Sequence, residues 1–239
     1  MRLERLLQSQ GFGSRKTCRL RIEAGDVRVN GALCRDPLAE FDTAGLTFEI
    51  DGETWTYAEH VYLALNKPAG FECTHQPQHH RSVYTLLPPP LIRRGVQSVG
   101  RLDADTTGLL LFSDDGRFIH AMASPKRRVA KHYRATLKHA FDDALPKRLL
   151  TGVLLTGEPA PLAALAARQI DAHTLALSID QGKYHQVKRM VAAAGNRVEA
   201  LHRAGFGALS LEDGSLPAIA PGDCCHLDEK HLALLGYCR

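Results

Sequence analysis

The feature that most constrains the fold is a change of hydrophobic pattern near residue 58. Before it, apolar residues recur at helical spacing and then alternate over a short hairpin. After it, short apolar strands alternate with helical stretches over most of the remaining sequence. Because 239 residues exceed the usual length of one domain, this change predicts two domains, at residues 1–57 and 58–239.

The first domain is predicted to be a helix-helix-hairpin unit. Leucines repeat at helical spacing over residues 3–7, Ser14 is placed to cap a second helix, and Gly25 is placed to end it. Asn30-Gly31 tolerates the positive φ of a tight turn between two short strands. The predicted order is therefore two helices followed by a hairpin.

Charge is distributed unevenly along the chain. Residues 1–36 carry eight Lys or Arg against four Asp or Glu, and this difference of +4 equals the net charge of the whole chain. Residues 36–60 carry seven acidic and no basic side chains, and they predict an acidic connector, with room for a second hairpin at residues 46–57. Basic blocks separated by an acidic segment are typical of localised polyanion contacts and, equally, of solvated faces.

The second predicted helix carries Arg15, Lys16 and Arg19, a concentration of cations that suits a phosphate backbone. Residues 2–31 resemble the small RNA-binding domain found in a ribosomal small-subunit protein and in some tyrosyl-tRNA synthetases. The resemblance implies that these three side chains contact RNA. A generic basic helical segment is the alternative.

The second domain is predicted to be α+β with a central mixed or antiparallel sheet, because its segments form no regular βαβ series. The expected strands lie at residues 61–66, 108–113, 133–137 and 175–179, and the expected helices at residues 116–123, 141–150 and 185–194.

Composition excludes several classes of protein. A chain with 44% hydrophobic and 23% charged residues is not disordered. No apolar run is long enough to span a membrane and the first residues predict no signal peptide, so we expect a cytoplasmic protein without membrane contact. Six cysteines without a Cys-x-x-Cys pair are expected to be free thiols.

Residues 100–111 are the strongest candidate for a catalytic loop. They place Arg101, Asp103 and Asp105 immediately before an apolar strand, and a strand can fix the direction of a carboxylate that a loop leaves accessible. On chemistry alone, both aspartates could instead cap the turn by accepting bonds from backbone N–H groups. Asp114-Asp115-Gly116 predicts the start of the following helix rather than a cation site.

The candidate loop is similar to the signature Gly-Arg-Leu-Asp-x-x-Thr-x-Gly-Leu of rRNA pseudouridine synthases. Three further motifs of that family occur in the right order, namely Lys67-Pro68-Ala69-Gly70, Lys131-His132-Tyr133 and the run Gly-Lys-Tyr-His-Gln-Val-Lys-Arg-Met at residues 182–190. Together with the N-terminal domain, the resemblance spans nearly the whole chain.

The resemblance implies that the chain isomerises a uridine in RNA to pseudouridine, with no cofactor and no metal. Asp103 is the implied essential carboxylate, acting as nucleophile or as base. Lys188 is implied to keep it ionised, with a phosphate contact as the alternative. Tyr133 is implied to stack on the target base, with a core tyrosine as the alternative. Arg101 is expected to fill the space that the flipped base leaves or to grip its phosphate.

The resemblance also carries expectations about the partner. Lys67 and Arg189 are expected to contact RNA, and His185 to contact RNA or solvent. Tyr184-His185-Gln186 is similar to the small-subunit (16S) rRNA enzymes rather than to the large-subunit enzymes. This implies 16S rRNA or a small-subunit assembly intermediate as the partner of a monomeric protein. A large-subunit (23S) rRNA synthase and a non-catalytic RNA-binding ribosome-assembly factor are the alternatives.

Overall fold

The computed structural model describes residues 1–238, which form two compact units. The first unit comprises Met1–Val61 and Leu87–Gln97, and the second comprises Tyr62–Leu86 and the chain from Ser98 onward. Within the described chain, no helix is both long enough and apolar enough to cross a membrane.

The chain has both helices and strands, and they do not alternate in a regular βαβ series. The helices are α1 (Leu3–Ser9), α2 (Arg15–Ala24), α3 (Pro89–Arg93), α4 (Gly116–Ala123), α5 (Leu145–Thr151), α6 (Gln186–Ala193) and α7 (Glu229–Leu234). The strands are β1 (Arg28–Val29), β2 (Ala32–Leu33), β3 (Thr47–Ile50), β4 (Glu53–Thr56), β5 (Tyr62–Lys67), β6 (Phe71–Glu72), β7 (Arg81–Ser82), β8 (Gln97–Ser98), β9 (Thr107–Ser113), β10 (Lys131–Leu137), β11 (Ala166–Asp171), β12 (Thr174–Ile179), β13 (Val198–Phe206), β14 (Leu209–Ser210) and β15 (Cys224–His226).

The start of the first unit has the predicted helix-helix-hairpin order. The Ser14 side chain accepts a bond from the Thr17 N–H at the start of α2, and Gly25 ends that helix with a φ of 89°. Asn30 and Gly31 both have positive φ between β1 and β2, as a tight turn requires. These caps and this turn are therefore confirmed.

The acidic segment after the first hairpin contains the second hairpin expected at residues 46–57, which is confirmed, so the connector interpretation is wrong for residues 47–56. The strands β3 and β4 form a hairpin that extends the first hairpin into a sheet of order β2-β1-β3-β4. Leu46, Phe48 and Ile50 are buried in the same core as the leucines of α1. The acidic and polar residues of β3 lie between these apolar positions, as a strand with one buried face requires.

The first unit also includes a segment that lies farther along the chain. Arg94 Nη1, just after α3, donates to Gln10 Oε1 at 2.7 Å and to the Ala58 carbonyl at 3.0 Å. Local sequence patterns do not report such pairings, because the partners are far apart in the chain.

The second unit is built on a mixed sheet of order β11-β12-β10-β13-β9-β5-β15, with β14 paired to β13. All neighbours along this order are antiparallel except β13 and β9, which are parallel. This pair sets Arg203 opposite Gly108, where an added Cβ would lie 2.3 Å from the Arg203 carbonyl oxygen. The predicted α+β fold with a mixed central sheet is confirmed.

The helix α4 packs against this sheet through Phe118 and Met122, and Asp115 caps its start at Gly116 as predicted. The Asp115 carboxylate accepts bonds from the backbone N–H groups of Arg117 and Phe118. Its other oxygen accepts bonds from the hydroxyls of Tyr62 at 2.8 Å and Tyr237 at 2.6 Å. Burial opposes the charge, but these hydrogen bonds outweigh it and hold the pKa of Asp115 at about 2.

Candidate active site

Residues 100–106 form the loop that precedes β9, and the Lys67 side chain binds the backbone of this loop. Lys67 is fully buried, and its Nζ donates to four backbone carbonyls, those of Pro68, Asp103, Ala104 and Thr106, at 2.8–3.2 Å. Burial lowers the pKa of Lys67. The Lys67 ammonium thus fixes the backbone at Asp103, and the expected contact of Lys67 with RNA stays a prediction, which this burial disfavours.

The start of α6 brings two side chains to the Asp103 carboxylate. Lys188 Nζ lies 3.1 Å from Asp103 Oδ2, and His185 Nε2 lies 3.3 Å from Asp103 Oδ1. His185 adopts a left-handed backbone with a φ of 47° immediately before the helix, a conformation that non-glycine residues keep mainly at special sites. The structure thus gives His185 a contact with the candidate catalytic carboxylate, which the sequence did not suggest.

Lys188 also binds Asp105, so one ammonium joins two carboxylates. Its Nζ donates to Asp105 Oδ1 at 2.7 Å and to Oδ2 at 2.9 Å. Burial opposes the charge of Lys188, but the bonds to Asp105 and Asp103 outweigh it and raise the Lys188 pKa. Burial likewise opposes the charge of Asp105, and the Lys188 hydrogen bond and charge outweigh it, so the Asp105 pKa is lowered. Asp105 is therefore an ion-pair partner, a role that the turn-capping alternative did not include.

The strands β10 and β13 supply the floor of the site. Tyr133 and Arg203 are opposite each other in the register of these strands, and both are buried. They line one cavity of about 190 Å³ together with Asp103, His185 and Lys188. Four separate stretches of sequence therefore meet at a single cavity.

The two remaining arginines predicted beside this site have different positions. Arg101 is exposed and lines the same cavity as Asp103. Arg189 donates to the carbonyl of Tyr184 at 3.3 Å and also to that of Thr156. Two donor groups of the Arg189 guanidinium are thus already bound to backbone carbonyls. The contact of Arg189 with RNA stays a prediction.

The three predicted RNA contacts of the first unit also differ from one another. Arg15 Nε and Arg19 Nε donate to opposite oxygens of the buried Glu4 carboxylate, at 2.7 Å and 2.9 Å. The Arg15 hydrogen bond is the main cause of a lowered Glu4 pKa. Lys16 is exposed between them. Glu4 thereby holds two arginines on one face of α2 and leaves Lys16 to solvent.

No three His, Cys, Asp or Glu side chains of residues 1–238 come together in a way that could hold a metal ion. The side chains at the cavity are a carboxylate paired with a lysine, an aromatic ring and a buried guanidinium. Of these side chains, that of Arg203 is the one that the sequence analysis did not single out. The available signal was an arginine on the same strand face as Leu201, which is buried.

Known proteins share both this fold and its motifs. A solved structure described as a pseudouridylate synthase superposes over 98% of this chain and 99% of its own with a TM-score of 0.68 at 30% identity. The fold is thus that of a pseudouridine synthase. A family model for RNA pseudouridylate synthases matches residues 61–193, and an S4 domain model matches residues 1–37. The chain belongs to the RNA pseudouridylate synthase family and is an isomerase.

Relatives extend this likeness over the full length. An uncharacterised RNA pseudouridine synthase of Bacillus subtilis (strain 168) is 37% identical, with 98% of each chain covered. The ribosomal small subunit pseudouridine synthase A of Pasteurella multocida (strain Pm70) is 33% identical, again with 98% of each chain covered. The enzyme of that name from Vibrio parahaemolyticus is 34% identical and covers 97% of this chain and 98% of its own.

Proposed function

We propose that this protein converts one uridine of the small-subunit (16S) rRNA to pseudouridine, acting as a monomer in the cytoplasm. The observation that carries the proposal is the meeting of Asp103, Lys188 and Tyr133 at one cavity. Full-length similarity to enzymes named for the small subunit supports 16S rRNA, free or within an assembly intermediate, as the partner.

Asp103 acts on the ribose of the target nucleotide. Its ionised carboxylate attacks C1′ as a nucleophile or removes a ribose proton as a base, and either role needs a charged oxygen in a fixed position. The buried Lys67 fixes the backbone of the loop, and Lys188 places a positive charge 3.1 Å from Oδ2. The reaction therefore takes place on a carboxylate whose direction is set before the substrate binds.

Tyr133 and Arg101 handle the base. A uridine in a helical stack is out of reach of a carboxylate that lines a cavity, so it must flip into that cavity. The Tyr133 ring then provides a flat surface for the uracil. Arg101, exposed at the same cavity, contacts the displaced phosphate or fills the vacated space.

The first predicted domain, residues 1–57, recruits the RNA, and residues 58–239 carry out the isomerisation. The face of α2 with Arg15, Lys16 and Arg19 meets the phosphate backbone, and Glu4 keeps the two arginines in place. The match of an S4 domain model to residues 1–37 supports this division of labour.

The test is to incubate the purified protein with 16S rRNA, 23S rRNA and small-subunit assembly intermediates and to map pseudouridine chemically. We expect one new pseudouridine in 16S rRNA, its absence with Asp103→Asn, and full conversion with Asp143→Asn, an exposed aspartate of the same unit. Modification of 23S rRNA alone would identify a large-subunit enzyme. Empty maps from the wild-type protein on all substrates would instead indicate a non-catalytic assembly factor.

A further inference from the structure

Arg203 is a buried cation without a counter-ion. It is 3% exposed, and within the described residues it forms no ion pair. A guanidinium offers five N–H donors. Arg203 Nε donates to the Leu109 carbonyl at 2.7 Å, whereas Nη2 is buried and has no acceptor among residues 1–238. A buried donor without an acceptor is costly, so its retention calls for a ligand that supplies one.

The surroundings of Arg203 add positive charge rather than cancel it. Its guanidinium carbon lies 5.6 Å from the centre of the Phe206 ring, and Lys131 Nζ lies 5.6 Å from the same ring. Burial, and then the charge of Arg203, lower the Lys131 pKa. The nearby Asp180 accepts a bond from Arg128 Nε at 2.6 Å, so its charge is already engaged. The cavity floor is therefore cationic before the substrate arrives.

Register places this charge beside the expected position of the base. Arg203 is opposite Tyr133 on neighbouring strands, and both line the cavity that holds Asp103. A uracil stacked on Tyr133 carries two carbonyl oxygens, O2 and O4, as its acceptors. These are the groups of the target nucleotide that a guanidinium at the floor can reach.

We propose that Arg203 is a catalytic residue that donates a hydrogen bond to a carbonyl oxygen of the target uracil and stabilises the anion formed when the N1–C1′ bond breaks. The proposal rests on the proposed function. It assigns to this arginine the leaving-group half of the reaction, while Asp103 acts on the ribose half.

The charge balance of the step is as follows. When the N1–C1′ bond breaks, its electron pair stays with the uracil, and the negative charge spreads over N1, O2 and O4. The deficit at C1′ is met by a bond from an Asp103 oxygen or by the electron pair released when Asp103 takes a ribose C2′ proton. Arg203 keeps its protons throughout. When C5 joins C1′, the Asp103 oxygen leaves C1′ with its bonding electron pair, or Asp103 returns the proton to C2′. The C5 proton then leaves, N1 is protonated, and the product is a neutral isomer beside a free Asp103 carboxylate.

This role predicts which state Arg203 binds best. Neutral uracil gains an ordinary hydrogen bond, whereas the uracil anion gains a charge-assisted bond in a buried site, so the stabilisation is greatest where charge develops. Removing one such donor costs about 100-fold or more in the rate of the chemical step. The loss of rate should be smaller for a uracil whose anion is more stable, because its departure from C1′ depends less on the hydrogen bond from Arg203.

The experiment compares Arg203→Met with the wild-type protein on 16S rRNA carrying uridine or 5-fluorouridine. Fluorine withdraws electrons and stabilises the uracil anion, and it also removes the C5 proton, so loss of the N1-linked nucleoside in nuclease digests is the readout. We expect a single-turnover rate about 100-fold lower on uridine and no more than about 10-fold lower on 5-fluorouridine. Arg168→Met, which changes an exposed arginine of the same unit, should match the wild-type protein on both.

Equal losses on the two substrates would overturn the proposal, because a structural or phosphate-binding role does not depend on the leaving group. If Arg203→Met fails to fold by far-UV circular dichroism, Arg203→Lys decides the question by the same comparison, since it keeps the charge but shortens the reach. A wild-type protein that converts neither rRNA would instead refute the proposed function, and the two failures are thus distinguishable.

Discussion

Lys67→Met tests whether this lysine holds the catalytic loop or meets RNA. The substitution keeps the length and the apolar stem of the side chain but removes the ammonium that four carbonyls share. Because the side chain is fully buried, the variant should change the loop and leave the RNA-binding surface as it was.

The expected loss of stability follows from the burial of those carbonyls. The Thr106 carbonyl is buried at 2.8 Å from Nζ, and losing its charged donor costs about 2 kcal/mol. The other three carbonyls are partly buried and can accept water, so each loses about 0.5 kcal/mol. Removing a desolvated charge offsets part of this, and the net fall in unfolding free energy is about 3 kcal/mol. A displacement of Asp103 by about 1 Å would lower the rate about 100-fold.

Three measurements on Lys67→Met separate the two roles. Urea unfolding gives the stability, single-turnover pseudouridine formation gives the rate, and RNA affinity at several salt concentrations gives the number of phosphate contacts. We expect lower stability, a lower rate and an unchanged salt dependence, with Lys147→Met, an exposed lysine on α5, as the matched control. Wild-type stability together with a salt slope smaller by about 1 would refute the loop-holding role and restore the RNA contact.

Two further predictions concern the pKa of Asp115 and the charge of α2. The folded-state pKa of Asp115 is lowered from 3.8 to about 2, so its stabilisation is present above pH 3.8 and is lost as pH falls toward 2. It amounts to about 2 kcal/mol, about half of it lost by pH 3, and Asp115→Asn should remove this part of the acid sensitivity in urea unfolding at pH 5 and pH 3. Lys16→Gln should weaken binding of 16S rRNA and reduce the slope of log affinity against log salt by about 1, whereas Lys230→Gln, on α7, should not.

Each of these predictions has a result that contradicts it. If Asp115→Asn loses as much stability between pH 5 and pH 3 as the wild-type protein, the four hydrogen bonds to this carboxylate do not favour its charged form. If Lys16→Gln keeps the wild-type salt slope, the exposed lysine of α2 does not contact a phosphate, and recruitment must depend on other cations.

The sequence predicted what depends on neighbouring residues. Caps at Ser14 and Asp115 and the Asn30-Gly31 turn follow from local backbone chemistry, and the structure confirms them. Apolar periodicity located β5, β9 and β10 within one or two residues. The motifs located Asp103, because a short polar loop before a buried strand is itself a local pattern.

What the sequence could not supply depends on pairing between distant segments. The sequence around a lysine that follows an apolar strand does not show whether its ammonium contacts water or backbone carbonyls. Lys67 binds carbonyls because the loop at residues 100–106 lies against it. The parallel pairing of β13 with β9 links residues about 95 positions apart, and together with the pairing of β13 with β10 it brings Arg203 to the cavity. No local pattern encodes either contact.

The distribution of charge in the cavity gives the strongest physical reason to expect chemistry on the base as well as on the ribose. Near the ribose side, cations and carboxylates are paired, as Lys188 is with Asp103 and Asp105. At the floor, the buried Arg203 and the half-buried Lys131 form no ion pair within the described chain, although an unpaired charge in a buried site costs stability. Residues that lower the stability of a fold are found mainly at functional sites, because function there requires them. Two cations would add little to the binding of neutral uracil. They lower the energy of a uracil anion, and this stabilisation arises when the charge forms in the reaction.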